Sequence, residues 1–251
     1  MTLSDYLHRL TQFKTMEELW HAHVNQMGRY GFDRLIYGYT LFKTATSLGD
    51  PDDFVILSNH SPEYLNGFLA EGLYADAPML DWALTNEGFA SWRRAHDMAR
   101  AGQLDPKTQA VYDFNQRMGV KAGYTISFNS ATQRFKGAIA LTARRDLTQD
   151  AVDEIWEAHG QDILLMNNVA HLKILTLPYH APNRGLTKRQ REVLQWVGDG
   201  KTTQDIAILM GLTPATIEKH LRLARESLCV ETTAQAVLKA ALHNQMYAVV
   251  T

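Results

Sequence analysis

Two patterns of hydrophobic and polar residues divide the 251-residue chain. Up to about residue 176, helical spacing alternates with short runs of β-branched and aromatic residues that indicate strands. The predicted strands are 33–42, 53–59, 121–130 and 136–144, and the predicted helices are 2–13, 15–30, 62–74, 77–84, 105–119 and 147–175. We expect an α+β domain, an α-β-α sandwich in which an antiparallel sheet lies between helical layers.

From Leu186 onward only helical spacing occurs, in four segments. The stretch between the two patterns, LPYHAPNRG at residues 177–185, contains two prolines, an asparagine and a glycine, which is typical of a linker. We therefore predict a first domain at 1–176, a linker at 177–185 and an all-α domain at 186–251.

The four C-terminal segments have the start and stop signals of short helices. A threonine precedes each of them, and Gly211 followed by Thr213 and Pro214 gives a tight turn between the second and third segments. Two short helices joined by such a turn are typical of a helix-turn-helix. In the third segment one apolar stripe runs at helical spacing and is predicted to pack on the first two helices; it consists of Ile217, Leu221, Ala224 and Leu228.

The opposite face of the third segment is predicted to point outward and carries Ala215, Lys219, Arg222, Leu223 and Glu226. A helix with basic residues on its outer face can enter the major groove of DNA. The alternative is a generic helical bundle whose solvated face is basic. On the first interpretation, the predicted DNA-binding residues are Thr202, Thr203, Thr213, Ala215, Thr216, Lys219, His220, Arg222 and Leu223.

Composition and charge narrow the classes of function. The chain has 25 Lys and Arg against 27 Asp and Glu, which excludes a generally basic nucleic-acid coat. Lys and Arg exceed Asp and Glu only from Leu186 onward, by 8 to 6. The start lacks a basic segment followed by an apolar one, and no apolar run is long enough for a membrane span, so we expect a cytoplasmic protein. The single cysteine, Cys229, is expected to be a small buried hydrophobe.

The segment GLTKRQREVLQWVGDGKTTQDIAILMGLTPATIEKHLRLARESLCVETTAQAVLKAAL closely resembles the LuxR-type helix-turn-helix, whose pattern is LTxRExEVLxxxxxGKxxxEIAxxLxxSxxTVxxHxxxxxxKLxVxxRxxA. The matching positions are Leu186, Thr187, Arg189, Glu192, Val193, Leu194, Gly200, Lys201, Ile206, Ala207, Thr216, His220, Leu228, Val230 and Ala234 or Ala236. The resemblance implies a DNA-binding regulator. It also implies a homodimer, paired through the last helix at about 233–245, that reads a two-fold-symmetric operator.

Five departures from that pattern differ in their consequences. Asp205, Thr213 and Ile217 keep the chemistry of the usual Glu, Ser and Val. Ser227 and Thr233 stand where the family commonly has Lys and Arg, which predicts lower nonspecific DNA affinity because two charges that could contact phosphate are lost.

The first domain is similar to the autoinducer-binding domain of quorum-sensing LuxR proteins. The residues that fit the family spacing are Pro78, Trp92, Gly119, Gly123 and Gly137, with the aromatic ladder Tyr64, Phe68 and Tyr74. A response-regulator receiver domain, which can also precede this type of tail, would need a repeating βα pattern that residues 1–170 lack.

The resemblance also identifies where the chain departs from family members that bind N-acyl homoserine lactones. In those proteins a Trp donates to the lactone carbonyl, a Tyr and a Ser or Thr contact the acyl carbonyl, and an Asp accepts the amide N–H. The corresponding positions here are Tyr64, Phe68, Ala140 and Ala77, respectively, so that only the first keeps a polar group. Asp76, one residue off register, is a weaker candidate for the amide contact. Each ligand group left without a partner costs about 1 to 3 kcal/mol.

Two interpretations of this domain stay open: a pocket for a more apolar or aromatic signal, or a collapsed core that serves as a dimerisation scaffold. Either would make the protein an orphan, or solo, regulator. The candidate ligand-binding residues are Tyr37, Tyr39, His60, Tyr64, Phe68, Asp76, Ala77, Trp82, Phe89, Trp92 and Ala140.

A small-molecule binding or modifying protein with a vestigial tail is the alternative from another class. We find no catalytic motif, expect no enzyme and no cofactor, and expect no metal site, because the histidines lack converging spacing.

Overall fold

The computed structural model describes residues 2–44, 47–130, 132–179 and 185–246. The chain forms two compact units, Met1–Leu175 and Thr176–Thr251. The strands of the first unit are β1 Phe32–Thr40, β2 Val55–Ser58, β3 Gly88–Ser91, β4 Gly123–Ser127 and β5 Lys136–Ala143. Its helices are α1 Leu3–Gln12, α2 Met16–Gly28, α3 Pro62–Leu65, α4 Pro78–Thr85, α5 Arg93–Arg100, α6 Pro106–Arg117 and α7 Gln149–Ile174. The helices of the second unit are α8 Lys188–Gly198, α9 Thr203–Met210, α10 Pro214–Leu228 and α11 Thr233–Leu242.

The five strands form one antiparallel sheet in the order β2-β1-β5-β4-β3. The central pair, β1 and β5, runs in register from Arg34 opposite Thr142 to Thr40 opposite Lys136, with an irregularity near Phe32. Because side chains alternate across a strand, this register decides which residues of β1 and β5 face each helical layer. The α-β-α sandwich expected from the sequence is confirmed.

One face of the sheet is covered by α1, α2 and α7, which are joined by buried polar contacts. The two ring nitrogens of His23 lie 2.7 Å from the Tyr6 hydroxyl and 3.0 Å from Oδ1 of Asn167. On the same side, the Tyr37 hydroxyl lies 2.9 Å from Nδ1 of His171. Burial lowers the pKa of both histidines to about 4, so they are neutral near pH 7 and act as hydrogen-bonding core residues.

The other face of the sheet is covered by the segment that contains α3 to α6. The sequence predicted the secondary structure of this segment less well than that of the rest of the chain. The predicted helix at 62–74 is wrong beyond Leu65, because the chain continues as a π-helical turn at Asn66–Ala70 and a 3-10 turn at Leu73–Asp76. Strand β3 and helix α5 were not predicted: β3 has only four residues, and α5 has the polar sequence RRAHDMAR.

The helix starts of the first unit follow their capping residues. Asp105 accepts hydrogen bonds from the backbone N–H groups of Lys107 and Thr108 at the start of α6, where Pro106 is the first residue. Thr148 caps α7 through the N–H of Ala151. Each side chain satisfies a donor that has no partner inside the helix.

Over residues 185–246 the second unit contains four helices. Thr187, Thr202, Thr213 and Thr232 cap α8 to α11, as predicted, and all except Thr213 form a reciprocal capping box. The apolar stripe of α10 forms the buried side of that helix and joins a core that includes residues of α8, α9 and α11. Helix α11 ends at Leu242, three residues before the predicted end.

The predicted linker lies partly outside the described residues, which exclude 180–184. Leu177 is buried, its carbonyl accepts a hydrogen bond from the Asn244 side chain, and the Tyr179 N–H donates to the His243 carbonyl. The start of the segment predicted as linker therefore packs within the second unit. The exact domain boundaries stay a prediction.

Candidate functional site

A cavity of about 270 Å³ lies between the sheet and the α3 to α6 layer of the first unit. Its floor is formed by small residues on the facing sides of the two central strands, Gly38 of β1 and Ala138 and Ala140 of β5. Because these side chains are so short, the space above the sheet stays open. The walls are mostly apolar, which suits the body of a small organic molecule.

One wall of the cavity is an aromatic stack. The ring of Tyr64 is stacked on Phe68 at 5.3 Å and on His60 at 4.4 Å between centroids, and Phe114 of α6 lies 5.5 Å away. The Tyr64 hydroxyl donates a 3.1 Å hydrogen bond to Oδ1 of Asn115. Burial raises the pKa of this phenol, so it is protonated and serves as a neutral donor.

Trp92 forms a second wall and is held in place from the sheet. Its Nε1 donates to Oγ1 of Thr125 at 2.9 Å, so the indole is oriented by β4. Gly123 lies directly against the ring: a Cβ there would be 3.0 Å from Trp92 and 2.3 Å from the Leu141 carbonyl oxygen. Only a glycine allows the strand and the indole to approach so closely.

Six of the predicted ligand residues belong to the lining of this cavity: Tyr39, Tyr64, Phe68, Ala77, Trp92 and Ala140. The ring of Tyr39, however, lies 5.6 Å from that of His171 in α7, on the side of the sheet that Tyr37 also faces. Ala77, the N-cap of α4, and Ala140 bring only methyl groups to it, which agrees with the loss of polar contacts inferred from the sequence. The polar residues Tyr112, Asn115 and Gln116 of α6 also line it and were not predicted. Their spacing places them on one face of the helix, a signal that the sequence does contain.

The structure does not bring the other five predicted ligand residues to the cavity wall. Tyr37 points to the opposite face of the sheet, toward α7, and Phe89 packs on Trp156 of that helix. His60 lies behind Tyr64, with Nε2 3.3 Å from the Thr142 hydroxyl. Asp76 is exposed. Trp82 lines a separate open groove beside α5. The structure thus places these five residues away from the cavity, and ligand contact by any of the eleven stays a prediction.

The second unit contains the predicted helix-turn-helix. Gly211 adopts a left-handed conformation, φ 64° and ψ 35°, and ends α9, after which Thr213 and Pro214 start α10. The hydroxyl of Thr203 donates to Oε1 of Glu218 at 2.9 Å, so a side-chain contact links the first turn of α9 to the second turn of α10. The turn and this contact fix the orientation of α10 within the unit.

The solvent-facing side of α10 carries the predicted DNA contacts. Ala215, Lys219 and Arg222 are exposed, whereas Thr216, His220 and Leu223 are partly buried. Among the remaining predicted positions, Thr202 and Thr213 are exposed N-caps and Thr203 is partly buried. Within residues 185–246, no carboxylate lies at ion-pair distance from the Lys219 ammonium, and Arg222 pairs with Glu226 at 2.5 Å. Both cations are therefore accessible to a phosphate backbone.

Cys229 departs from its sequence expectation. It was predicted to be buried, but it is exposed, because it is the C-cap of α10 with φ 51° and ψ 54°. The left-handed backbone ends the helical periodicity at Leu228, so the next side chain no longer follows the buried stripe.

The described residues contain no group of three or more His, Cys, Asp or Glu that could hold a metal ion. None of the described helices is both long enough and apolar enough to cross a membrane.

The two units thus define a class of protein, a DNA-binding regulator with a separate ligand-binding domain. The family model described as the autoinducer binding domain matches residues 15–174, and the model described as bacterial regulatory proteins, luxR family, matches residues 184–240. The chain belongs to the LuxR family of bacterial transcription regulators that carry an autoinducer-binding domain.

A curated relative matches nearly the whole chain, and solved structures share its fold. The transcriptional activator protein AnoR of Acinetobacter nosocomialis is 20% identical over 95% of this chain and 96% of its own length. The structure of SdiA in complex with octanoyl-rac-glycerol has a TM-score of 0.52 at 17% identity and covers 96% of this chain and 93% of that chain. The structure of CepR2 of Burkholderia cenocepacia, described as N-acylhomoserine lactone dependent, has a TM-score of 0.53 at 18% identity. The match covers 68% of this chain and 92% of that chain.

Proposed function

We propose that this regulator senses a small apolar or aromatic molecule that is not a typical N-acyl homoserine lactone. The observation that carries the proposal is the 270 Å³ cavity, which keeps its aromatic walls while Phe68, Ala77 and Ala140 supply no hydrogen-bonding side chain. A buried amide or carbonyl left without a partner costs about 1 to 3 kcal/mol, so three losses disfavour an acyl-homoserine lactone by several orders of magnitude.

A ligand of another class has a precedent in this fold, because SdiA has been solved with octanoyl-rac-glycerol. The open cavity supports a receptor over the alternative, a ligand-independent dimerisation scaffold with a collapsed core. Residues as small as Gly38, Ala138 and Ala140 leave a void above the sheet. In a protein that binds no ligand, the atoms that line this void would lose van der Waals contacts and the fold would be less stable.

The DNA-binding part of the proposal assigns α10 to the major groove of a two-fold-symmetric operator. The exposed cations Lys219 and Arg222 support contact with phosphates and bases. Leu238 of α11 is 59% exposed, and an apolar side chain in that position supports pairing of two subunits through α11. Ligand binding would stabilise the arrangement in which two α10 helices are about 34 to 36 Å apart, which is the distance between half-sites one turn of DNA apart. The proposed place of action is the cytoplasm.

The first experiment is native mass spectrometry of the protein purified from its own host, followed by denaturing extraction. We expect a small molecule that leaves on denaturation. The variant Ala140→Phe, which fills the cavity floor, should lose that molecule, whereas Ala101→Phe, at an exposed position of the same unit, should retain it. Recovery of the host-purified protein as a ligand-free dimer that still binds DNA would instead support the scaffold.

A further inference from the structure

The charged residues that line the cavity are all basic. Lys121 and Lys136 line it, and within the described part of the first unit no aspartate or glutamate does. A desolvated cation attracts an anionic group more strongly than it does in water. The sign of charge at the wall is therefore informative about the ligand, in addition to the apolar surface.

Lys136 is built into the cavity by the sheet register. Lys136, Ala138, Ala140 and Thr142 are alternate residues of β5 and all line the cavity, as expected for one face of a strand. The cross-strand neighbour of Lys136 is Thr40, which also lines the cavity. Lys136 thus ends the same row of side chains that forms the floor.

The ammonium of Lys136 is positioned but not neutralised. Its Nζ donates a 2.9 Å hydrogen bond to the carbonyl oxygen of Asn86, and within the described residues no carboxylate lies at ion-pair distance. Partial burial lowers its pKa, while the nearby charges of Glu87 and Lys43 act in opposite directions. Since an ammonium has three N–H donors, others besides the one bound to Asn86 can serve a ligand.

Lys121 differs from Lys136 in its exposure to solvent and in its position along the cavity. It is exposed, and it precedes β4, whose residue Gly123 pairs with Thr142 at the far end of β5. Thr142 is six residues from Lys136, so the two lysines are near opposite ends of the strand row, about 20 Å apart by strand rise. A ligand head group can therefore be assigned to one lysine or the other by substitution.

We propose that the cavity takes an amphiphilic carboxylate, whose hydrocarbon or aryl body lies on the Gly38, Ala138 and Ala140 floor and whose anionic head group binds the Lys136 ammonium. This inference rests on the proposed function, because it specifies the class of molecule that occupies the same cavity. An ammonium can donate to either head group, but only a carboxylate adds the attraction between opposite charges, which a neutral amide of the same shape lacks.

The test uses matched pairs of probes on the full-length protein. Octanoate, decanoate, 3-phenylpropanoate and 5-phenylpentanoate are each compared with their primary carboxamide by isothermal titration calorimetry near pH 7.5. We expect that in at least one pair the carboxylate binds at least about tenfold more tightly than its amide. Lys136→Met should abolish this preference, because it weakens binding of the carboxylate far more than binding of the amide, while Lys136→Arg should retain it. Lys14→Met, which changes the same charge at an exposed position before α2, should also retain it.

The possible failures are distinguishable. Equal affinity of acid and amide for the wild type would overturn the anionic head group but leave the small-molecule cavity in place. A preference that survives Lys136→Met but is lost in Lys121→Met would overturn the assignment to Lys136. If no probe binds, the amphiphilic-carboxylate inference is wrong, and recovery of a neutral molecule from the host-purified protein would preserve the proposed function alone.

Discussion

The hydroxyl of Tyr64 in α3 donates a 3.1 Å hydrogen bond to Oδ1 of Asn115 in α6, at the wall of the cavity. This contact occupies the polar group that the sequence retained at one of the four lactone-contacting positions of the family. The donor therefore already has an acceptor within the protein, which supports the proposal that the cavity disfavours a lactone.

We predict that restoring the family's polar set creates an acyl-homoserine lactone receptor. The combined variant Phe68→Tyr, Ala77→Asp and Ala140→Ser should bind N-octanoyl homoserine lactone at least about 100-fold more tightly than the wild type, since each new hydrogen bond contributes about 1 kcal/mol. Calorimetry or a thermal shift measures the change. Ala77→Asn serves as the matched control for the amide contact, because it has the same size as Asp without the charge. Tight lactone binding by the wild type would refute the inference drawn from these positions.

Removing the cations of α10 should weaken DNA binding and reduce its dependence on salt. For Lys219→Ala we expect the slope of log affinity against log salt to fall by about 1, as for one lost phosphate contact. Arg222→Ala should act in the same direction, although the ion pair with Glu226 makes the effect harder to separate. Lys107→Ala, at an exposed position of the first unit, is the control. Unchanged affinity in both α10 variants would show that another surface contacts DNA.

The first unit should lose stability as the pH falls from about 6.5 toward 4. Burial lowers the pKa of His23, His60 and His171 to about 4, so the unfolded chain binds protons before the folded one does. The stability that depends on their neutral forms is complete above the unfolded pKa of about 6.5 and declines below it, by up to about 1.4 kcal/mol per pH unit for each histidine. Urea unfolding at several pH values measures this slope. His23→Gln should remove about a third of it, and an identical slope would contradict the prediction.

Gly123→Ala should disturb the cavity through Trp92. The added methyl group would lie 2.3 Å from the Leu141 carbonyl oxygen and 3.0 Å from the indole, so either the strand pairing or the ring must move. We expect a clear loss of stability and a changed tryptophan fluorescence spectrum. Gly28→Ala, at the end of α2 where a methyl group meets no atom within 4 Å, should be neutral or stabilise by up to about 1 kcal/mol. Similar behaviour of the two variants would show that the close approach at Gly123 is unimportant.

The second unit could be predicted almost completely from the sequence because its signals are local. The threonine caps lie within four residues of the donors they satisfy, and the buried stripe of α10 follows directly from helical geometry. Cys229 was the exception, since a left-handed cap changes the direction of the next side chain, and this depends on backbone conformation rather than residue type.

The cavity was less predictable because its composition depends on register between distant segments. Tyr37 and Gly38 are neighbours in sequence, yet the first faces α7 and the second faces the cavity. The break after α3 also has a distant cause: a methyl group on Gly67 would lie 2.7 Å from the ring of Phe114, so the π-helical turn is shaped by packing on α6. No pattern within 62–74 contains that information.

The floor formed by Gly38, Ala138 and Ala140 has a consequence for how receptors of this kind diverge. The sheet is held together by backbone hydrogen bonds, which do not depend on those three side chains. Single substitutions there can therefore shorten the longest molecule the protein accepts, one methyl group at a time, while the strand pairing persists. The side chains of these strands set the length of the ligand, whereas their backbone atoms hold the sheet together. The ligand preference of such a receptor can therefore change during evolution while the fold stays stable.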